Sequence, residues 1–327
     1  MSFPNPSLPT FQHLTYTGLD PAQAFDVIYG GHFEHRLLAP GHTTLEHQRL
    51  VLDEMRLETG SYDFPVVARG AMPADMVCIG LVADGAETTR YNTASIGPDE
   101  IQVYPQGMDL LYHTAAASRW ITFTVPEARL QHAAMARTGR ALRLPRGHAE
   151  PVRLLPGGRG RLVQLADDAF AIGRSLGGHG ISPELSAQMS AALMRAYVDA
   201  LCTARADAQG RRRTSAWQHL HLVLACEKLV MAGDDAELAL DEIARRSGYS
   251  RRALELIFNR SVGMPPGRWF MNLRLNAALR DLLVPAAGCH VSEVASRWGF
   301  RHLPRFAQRY RAAFGELPSQ TLARARS

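Results

Sequence analysis

A pattern that occurs twice near the C-terminus constrains the fold of this 327-residue chain more than any other feature. Ile243-Ala244-Arg245-Arg246-Ser247-Gly248-Tyr249 returns 51 residues later as Val294-Ala295-Ser296-Arg297-Trp298-Gly299-Phe300. Each copy has an aliphatic residue, a small Ala, a Gly four residues after the Ala, and an aromatic next. This is helix-turn-helix spacing: the Ala admits close approach of a second helix, and the Gly supplies the positive φ of the tight turn. The correspondence continues at an offset of 52, pairing Leu254 with Phe306, Phe258 with Tyr310 and Gly263 with Gly315. A lone A-x-x-x-G is common. Two in register, each leading into an apolar i, i+4 pair, define a duplicated unit. Two units imply two recognition helices, and with them double-stranded DNA as the partner.

Charge follows the repeat. Residues 211–327 hold 19 Arg and Lys against 10 Asp and Glu, a net of +9, whereas residues 1–210 carry −4. Positive charge on the part that holds the repeats is what phosphate binding demands. Lys228 is the only lysine, a chain-wide bias that codon usage explains as well as function does. Cys78, Cys202, Cys226 and Cys289 are scattered without a C-x-x-C, which argues against a zinc site or a disulfide framework and fits a reducing cytoplasm. No apolar run is long enough to span a membrane, and Met1–Gln12 lacks the basic start of a secretory signal.

The expected organisation is α+β with two domains. Residues 1–205 form a sensor, with a β-barrel over about 14–145 and helices over about 160–205. Strands are predicted around 76–82, 100–104 and 120–125, where β-branched and aromatic runs are punctuated by Gly, Pro, Asp and Asn. A short helix is expected at 21–29. Helices at 162–175 and 183–205, the second capped by Ser182 ahead of Pro183, are candidates for packing on the barrel or pairing two protomers. Residues 206–216, polar and Gly-containing, read as a linker. Residues 217–322 read as all helix, with Asp241 and Ser292 as helix-start caps and a rod at 267–283 between the two motifs.

The first recognition helix is expected to bury Leu254, Ile257 and Phe258. Arg251, Arg252, Glu255, Leu256 and Asn259 are left facing out. In the second, Leu303, Phe306 and Tyr310 are expected inside, with His302, Pro304, Arg305, Gln308 and Arg309 outside. A major groove admits a helix, in which Arg reads guanine, Gln reads adenine and Glu accepts from cytosine.

These residues carry a resemblance. The run Trp298-Gly299-Phe300-Arg301-His302-Leu303-Pro304-Arg305-Phe306, continuing to Pro318-Ser319, resembles the second-motif signature of the AraC/XylS family of bacterial transcription regulators. Arg274-Leu275-Asn276-Ala277 and Leu282 are similar to its linker helix. The Gly-Phe-x-His-Leu-x-x-Phe form is similar to the branch containing the ethanolamine-utilisation operon regulator, as is Gly31-His32-Phe33-Glu34-His35-Arg36-Leu37 near the start of the sensor. The resemblance implies DNA contacts at Arg252, Glu255, Leu256, Pro304, Arg305 and Gln308, with Arg251, Asn259, Arg301 and His302 beside them. Leu256 and Pro304 donate no side-chain hydrogen bond, so readout there is expected to be sparse. It also implies a cupin-like barrel. A small organic effector is expected from a barrel-like segment without metal-ligand spacing, and RNA polymerase and a second copy paired through helices 162–205 are the expected protein partners.

Gly97–Gly107 is similar to a cupin strand-turn, but no His-x-His precedes it and His113 alone follows, so no metal or other cofactor is expected. His32, His35, His42 and His47 are read as solvated or core histidines, because Pro40-Gly41 breaks the segment. Asp53-Glu54 and Asp167-Asp168 are read as surface charges. No G-x-S-x-G, Walker or Rossmann pattern is present, and the chain is not expected to be an enzyme. The expected function is a sequence-specific DNA-binding regulator modulated by a small molecule. Two alternatives stand beside it: a cupin-type metal enzyme fused to a DNA-binding module, which the missing ligand triad disfavours, and a regulator controlled by a partner protein.

Overall fold

The computed structural model describes residues 9–18, 27–41, 43–176, 180–204, 210–232 and 236–326. The strand-forming runs of the first half make two sheets. One has the order β1 (Thr10–Thr17), β3 (Thr44–Leu52), β4 (Met55–Tyr62), β11 (Ser118–Val125), β6 (Val77–Asp84), β9 (Glu100–Tyr104), β12 (Glu150–Arg153). The other runs β2 (His32–Leu37), β5 (Val66–Ala71), β10 (Asp109–Thr114), β7 (Thr89–Tyr91), β8 (Ala94–Ser95). Neighbouring strands in both are antiparallel.

Side-chain alternation along single strands sets the layers. On β6, Cys78 and Val82 enter the core between the sheets, while Val77, Ile79 and Leu81 join a second core against helices. Those helices are α1 (Glu127–Thr138), α2 (Gly158–Leu176) and α3 (Pro183–Thr203), which contribute Leu130, Leu162, Phe170, Leu193 and Tyr197. The central strands of the seven-stranded sheet are therefore buried on both faces, which is why β6 reads as a continuous apolar run. The five-stranded sheet behaves likewise. Leu110 and Tyr112 of β10 point between the sheets, and Leu111 points out into a core formed with the C-terminal helices.

The C-terminal half consists of α4 (Gly210–Ala232), α5 (Ala236–Ser247), α6 (Arg251–Val262), α7 (Pro266–Leu283), α8 (Val291–Arg297), α9 (Leu303–Phe314) and α10 (Pro318–Arg326). α7 is buried nearly all round. Trp269 and Phe270 pack with Leu254 and Phe258 of α6, and Leu275, Ala278 and Leu282 pack with Val294, Phe306 and Tyr310 of the second motif. Its 18 residues make a rod of roughly 27 Å at 1.5 Å per residue.

Several expectations are corrected. The barrel is not closed: among the described residues β1, β12, β2 and β8 end their sheets. Part of the reason lies at β2, where the free-edge amide of Leu37 donates to Asn276 of α7 instead of to another strand. Residues 127–138 are helix inside the region read as β. Pro126 breaks the preceding strand and Leu130 and Ala134 supply a helical apolar stripe. Helix α4 begins at Gly210, inside the stretch read as a linker, and 206–209 lie outside the described residues. The short helix expected at 21–29 falls largely outside them too, and Val27–Tyr29 form a bend and turn. Asp241 and Ser292 lie within helices rather than at their starts. At α8 the backbone amide of His290 donates to the Glu293 carboxylate, 3.1 Å away. The Ser182 cap on α3 is present, accepting from the Leu185 amide at 3.2 Å.

Candidate nucleic-acid interface

Both turns are built as their glycines require. Gly248 and Gly299 take φ of 71° and 77°, where an L-residue with a Cβ is strained. Ser250 caps α6 by accepting from the Ala253 amide at 3.2 Å. α9 has no side-chain cap and starts instead with Pro304 in its first turn, where a missing N–H costs nothing.

On α6, Leu254, Ile257 and Phe258 are buried and Arg251, Arg252, Glu255, Leu256 and Asn259 are exposed. On α9, Phe306 and Tyr310 are buried, and Pro304, Arg305, Gln308 and Arg309 are exposed, with Arg301 and His302 exposed just ahead of the helix. Leu303 departs from expectation. It is 45% exposed, because it opens the helix one turn above the buried stripe that begins at Phe306. The outward faces thus carry two bare leucines, Leu256 and Leu303, among the polar groups. Arg251 already pairs with Asp241 at 3.4 Å, and Glu242 engages Arg245 and Arg246. Such exposed pairs contribute little to stability and yield readily to phosphate. Behind α9, the Tyr310 hydroxyl meets Thr321 Oγ1 of α10 at 2.9 Å and fixes the helix from its buried side.

The two halves are locked together by polar groups to which sequence reasoning assigned no contact. Glu227 of α4 is fully buried and accepts from Arg36 (2.7 and 3.2 Å), Arg69 (2.9 Å) and the Trp269 indole (2.8 Å). Asn276 of α7 grips β2 twice, accepting from the Leu37 amide at 2.7 Å and donating to its carbonyl at 3.0 Å. Glu34 sits between Arg36 and Arg280. Burial alone would raise its carboxyl, but the two guanidiniums outweigh it and hold the group at about 2. The available signal was Asn276 set between the apolar residues Leu275 and Ala277, since a polar side chain must find a partner when buried.

The histidines do not converge. His35 meets the Tyr62 hydroxyl at 2.8 Å and His47 the Val27 carbonyl at 2.9 Å, while His42 lies outside the described residues. Among the described residues no three His, Cys, Asp or Glu gather in a metal-holding group. His113 projects from the outer face of β10 towards Trp269, with ring centroids 6.1 Å apart, and neither ring nitrogen has a hydrogen-bond partner among the described residues. Burial holds both His35 and His113 down at about 4. Asp53 and Asp167 pair with Arg129 and Arg119. Between the sheets, Tyr62, Tyr91, Tyr104, Tyr112 and Trp120 enclose a chamber of only about 20 Å³, room for one water.

Residues 243–324 match the family described as a helix-turn-helix domain. Over 86 residues the chain is 41% identical to the probable thc operon regulatory protein of Rhodococcus erythropolis, covering 26% of each chain. It is 38% identical over 86 residues to the XylDLEGF operon transcriptional activator of Pseudomonas putida, covering 26% of this chain and 27% of that one. A probable AraC family transcriptional regulator from Rhodopseudomonas palustris is 33% identical over 33% of this chain and 99% of its own, with a TM-score of 0.30. The matched segment of the chain is thus an AraC/XylS-type helix-turn-helix domain. It spans about a quarter of the length of these two operon regulators. Among the described residues no helix is long and apolar enough to cross a membrane.

Proposed function

We propose that the protein is a sequence-specific, DNA-binding transcriptional regulator that reads duplex DNA with α6 and α9. The observation that carries this reading is the exposed polar face on each helix, held at either end of the rigid α7 rod. Roughly 27 Å of rod is of the order needed to reach successive major grooves on one face of B-DNA, about 34 Å apart. Arg252, Glu255 and Asn259 on α6, and Arg305 and Gln308 on α9, are assigned to base edges. Arg251, Arg301 and His302 are assigned to phosphates, with Leu256 and Pro304 as apolar contacts.

The N-terminal half is the sensor in this reading. Its other partners are a small organic effector, RNA polymerase and a second copy paired through helices 162–205. The Gly299–Phe306 sequence supports the ethanolamine-regulator branch within the family. The test is selection of duplexes from a random pool by the full chain, followed by anisotropy titration at several salt concentrations. The expected result is an enriched sequence with two half-sites about 10 bp apart and a log–log salt slope of several units. Recovery of no enriched sequence, or a flat salt response, would refute it.

A further inference from the structure

A cleft of about 330 Å³ opens where the two halves meet, and it lies outside the sheet chamber. Its floor is the β7–β8 turn with Gln102 of β9. Its far wall is Trp217 and His219 of α4 together with Arg260 and Ser261, the last turn of the first recognition helix. This volume lies within the range of preformed small-molecule sites, whereas the chamber between the sheets is less than a tenth of what one needs.

The turn that forms the floor is strained. Asn92 and Thr93 take φ of 47° and 69°, and a positive φ is a genuine outlier for a β-branched residue. Three side-chain hydrogen bonds hold it there. Asn92 Oδ1 accepts from the Leu111 amide at 2.7 Å, its Nδ2 donates to the Asp109 carbonyl at 3.3 Å, and the Thr93 hydroxyl donates across the seam to the Ala216 carbonyl at 2.9 Å. Strain of this kind persists where the surroundings over-determine it, and it concentrates at ligand clamps and switches.

The cleft is chemically asymmetric. Met108, Leu220 and Trp217 give it apolar walls. The Ser261 hydroxyl is fully buried and has no partner among the described residues, an unmet donor in the wall of a cleft. Arg260 reaches the cleft from an exposed position. Burial and Arg260 together push His219 below its ordinary range, so it enters as a neutral hydrogen-bonding group and leaves the guanidinium as the fixed positive charge. Glu100 is turned away, accepting from the Gly97 amide at 2.8 Å, and His148 is paired with Glu150 at 3.3 Å.

We infer that this interdomain cleft binds a small, flat organic anion, its carboxylate or sulfonate on Arg260 and Ser261 and its ring against Trp217. The site rests on the regulator reading only for its purpose. Its occupant touches the sensor's β7–β8 turn and the end of α6 at once, so binding bears directly on how a DNA-reading helix is held. An occupant shifts that equilibrium only by its differential affinity for the two arrangements.

The test uses the full chain and three probes: naphthalene-2-carboxylate, indole-3-acetate and 1-anilinonaphthalene-8-sulfonate. Binding is followed by calorimetry and by quenching of tryptophan fluorescence. At least one probe should bind with 1:1 stoichiometry. Arg260→Gln should weaken it about tenfold or more, as loss of a charge-assisted pair does. Naphthalene-2-carboxamide, which keeps the ring and loses the charge, should bind about tenfold more weakly than the carboxylate. Trp217→Phe should remove most of the quenching, and Tyr104→Phe, in the sheet chamber, should change nothing. The inference is overturned if no probe binds below about 1 mM, or if Arg260→Gln and the amide bind as tightly as their counterparts. Duplex binding is measured on the same samples. Salt-dependent duplex binding without anion binding removes the cleft and leaves the regulator, while anion binding without duplex binding does the reverse.

Discussion

Replacing Glu227 by Gln keeps the shape of the seam and removes its negative charge. The wild-type carboxylate takes four hydrogen bonds from three donors, and its side chain and that of Arg36 are 1% and 3% exposed. Breaking a buried ion pair from one side costs about 3–5 kcal/mol, because the surviving charge stays buried. Two features pull the figure to the low end. Glu34 remains 2.9 Å from the Arg36 guanidinium, and Arg69, 29% exposed, can turn to water. The expected loss is about 3 kcal/mol. Arg36→Gln should cost a similar amount. The double variant should cost less than the sum by about 2 kcal/mol, since the second change relieves the orphan left by the first. Urea unfolding followed by tryptophan fluorescence and far-UV circular dichroism measures all four proteins. Because the helical cores include strand residues such as Val67 and Leu111, the wild type should unfold in one coincident transition and Glu227→Gln in two. Single substitutions that cost under about 1 kcal/mol and add would show that the cluster contributes little. Two transitions in the wild type would show that the halves are not coupled.

Other consequences are open to measurement. Arg252→Ala and Arg305→Ala should each lose about 1–3 kcal/mol at their own base pairs, the affected positions lying about 10 bp apart; uniform weakening on every sequence would demote both to phosphate contacts. Leu256→Ala and Leu303→Ala should leave the melting temperature nearly unchanged, since both side chains are already exposed, with a stability change within about 0.5 kcal/mol. Acid should destabilise the fold between pH 6.5 and about 4. His35 and His113 are held neutral in the folded chain down to about 4 and take protons at 6.5 when unfolded, so the stability they lend is full above 6.5 and lost as pH falls through 4. Each should contribute at most about 3 kcal/mol, and a pH titration of His113→Leu should show a shallower loss across that window.

What was legible in the sequence was whatever rests on local periodicity. The turn glycines, the buried stripes of α6 and α9, the strands read around 76–82, 100–104 and 120–125 and the Ser182 cap all follow from neighbours a few residues apart. Leu303 was misplaced because its apolar character outweighed its position, one residue before Pro304 at a helix start. Helix 127–138 was absorbed into a run of strands, although Glu-Ala-Arg-Leu-Gln-His-Ala-Ala is rich in good helix formers. The open edge at β2 was out of reach, since it depends on Asn276 meeting Leu37 across more than two hundred residues. So were the partners of Glu227 and the convergence of Thr93, Trp217 and Arg260 on one cleft, because single-chain patterns do not say which distant elements meet.

The grip of Asn276 on Leu37 joins residues 239 apart, and that interval orders the birth of the molecule. A chain made from its N-terminus completes both sheets before α7 leaves the ribosome, so the surface that receives the rod exists first. Closing so long a loop adds little further entropy, since the cost grows only with the logarithm of length. The penalty is one of timing. Until α7 docks, β2 presents a bare strand edge and the outer face of β10 presents Leu111 to water, the kind of surface that recruits a neighbouring nascent chain. Docking of α7 removes that hazard and sets the spacing of α6 and α9 in the same step, so the cover over the strand edge and the placement of the two helices arrive together.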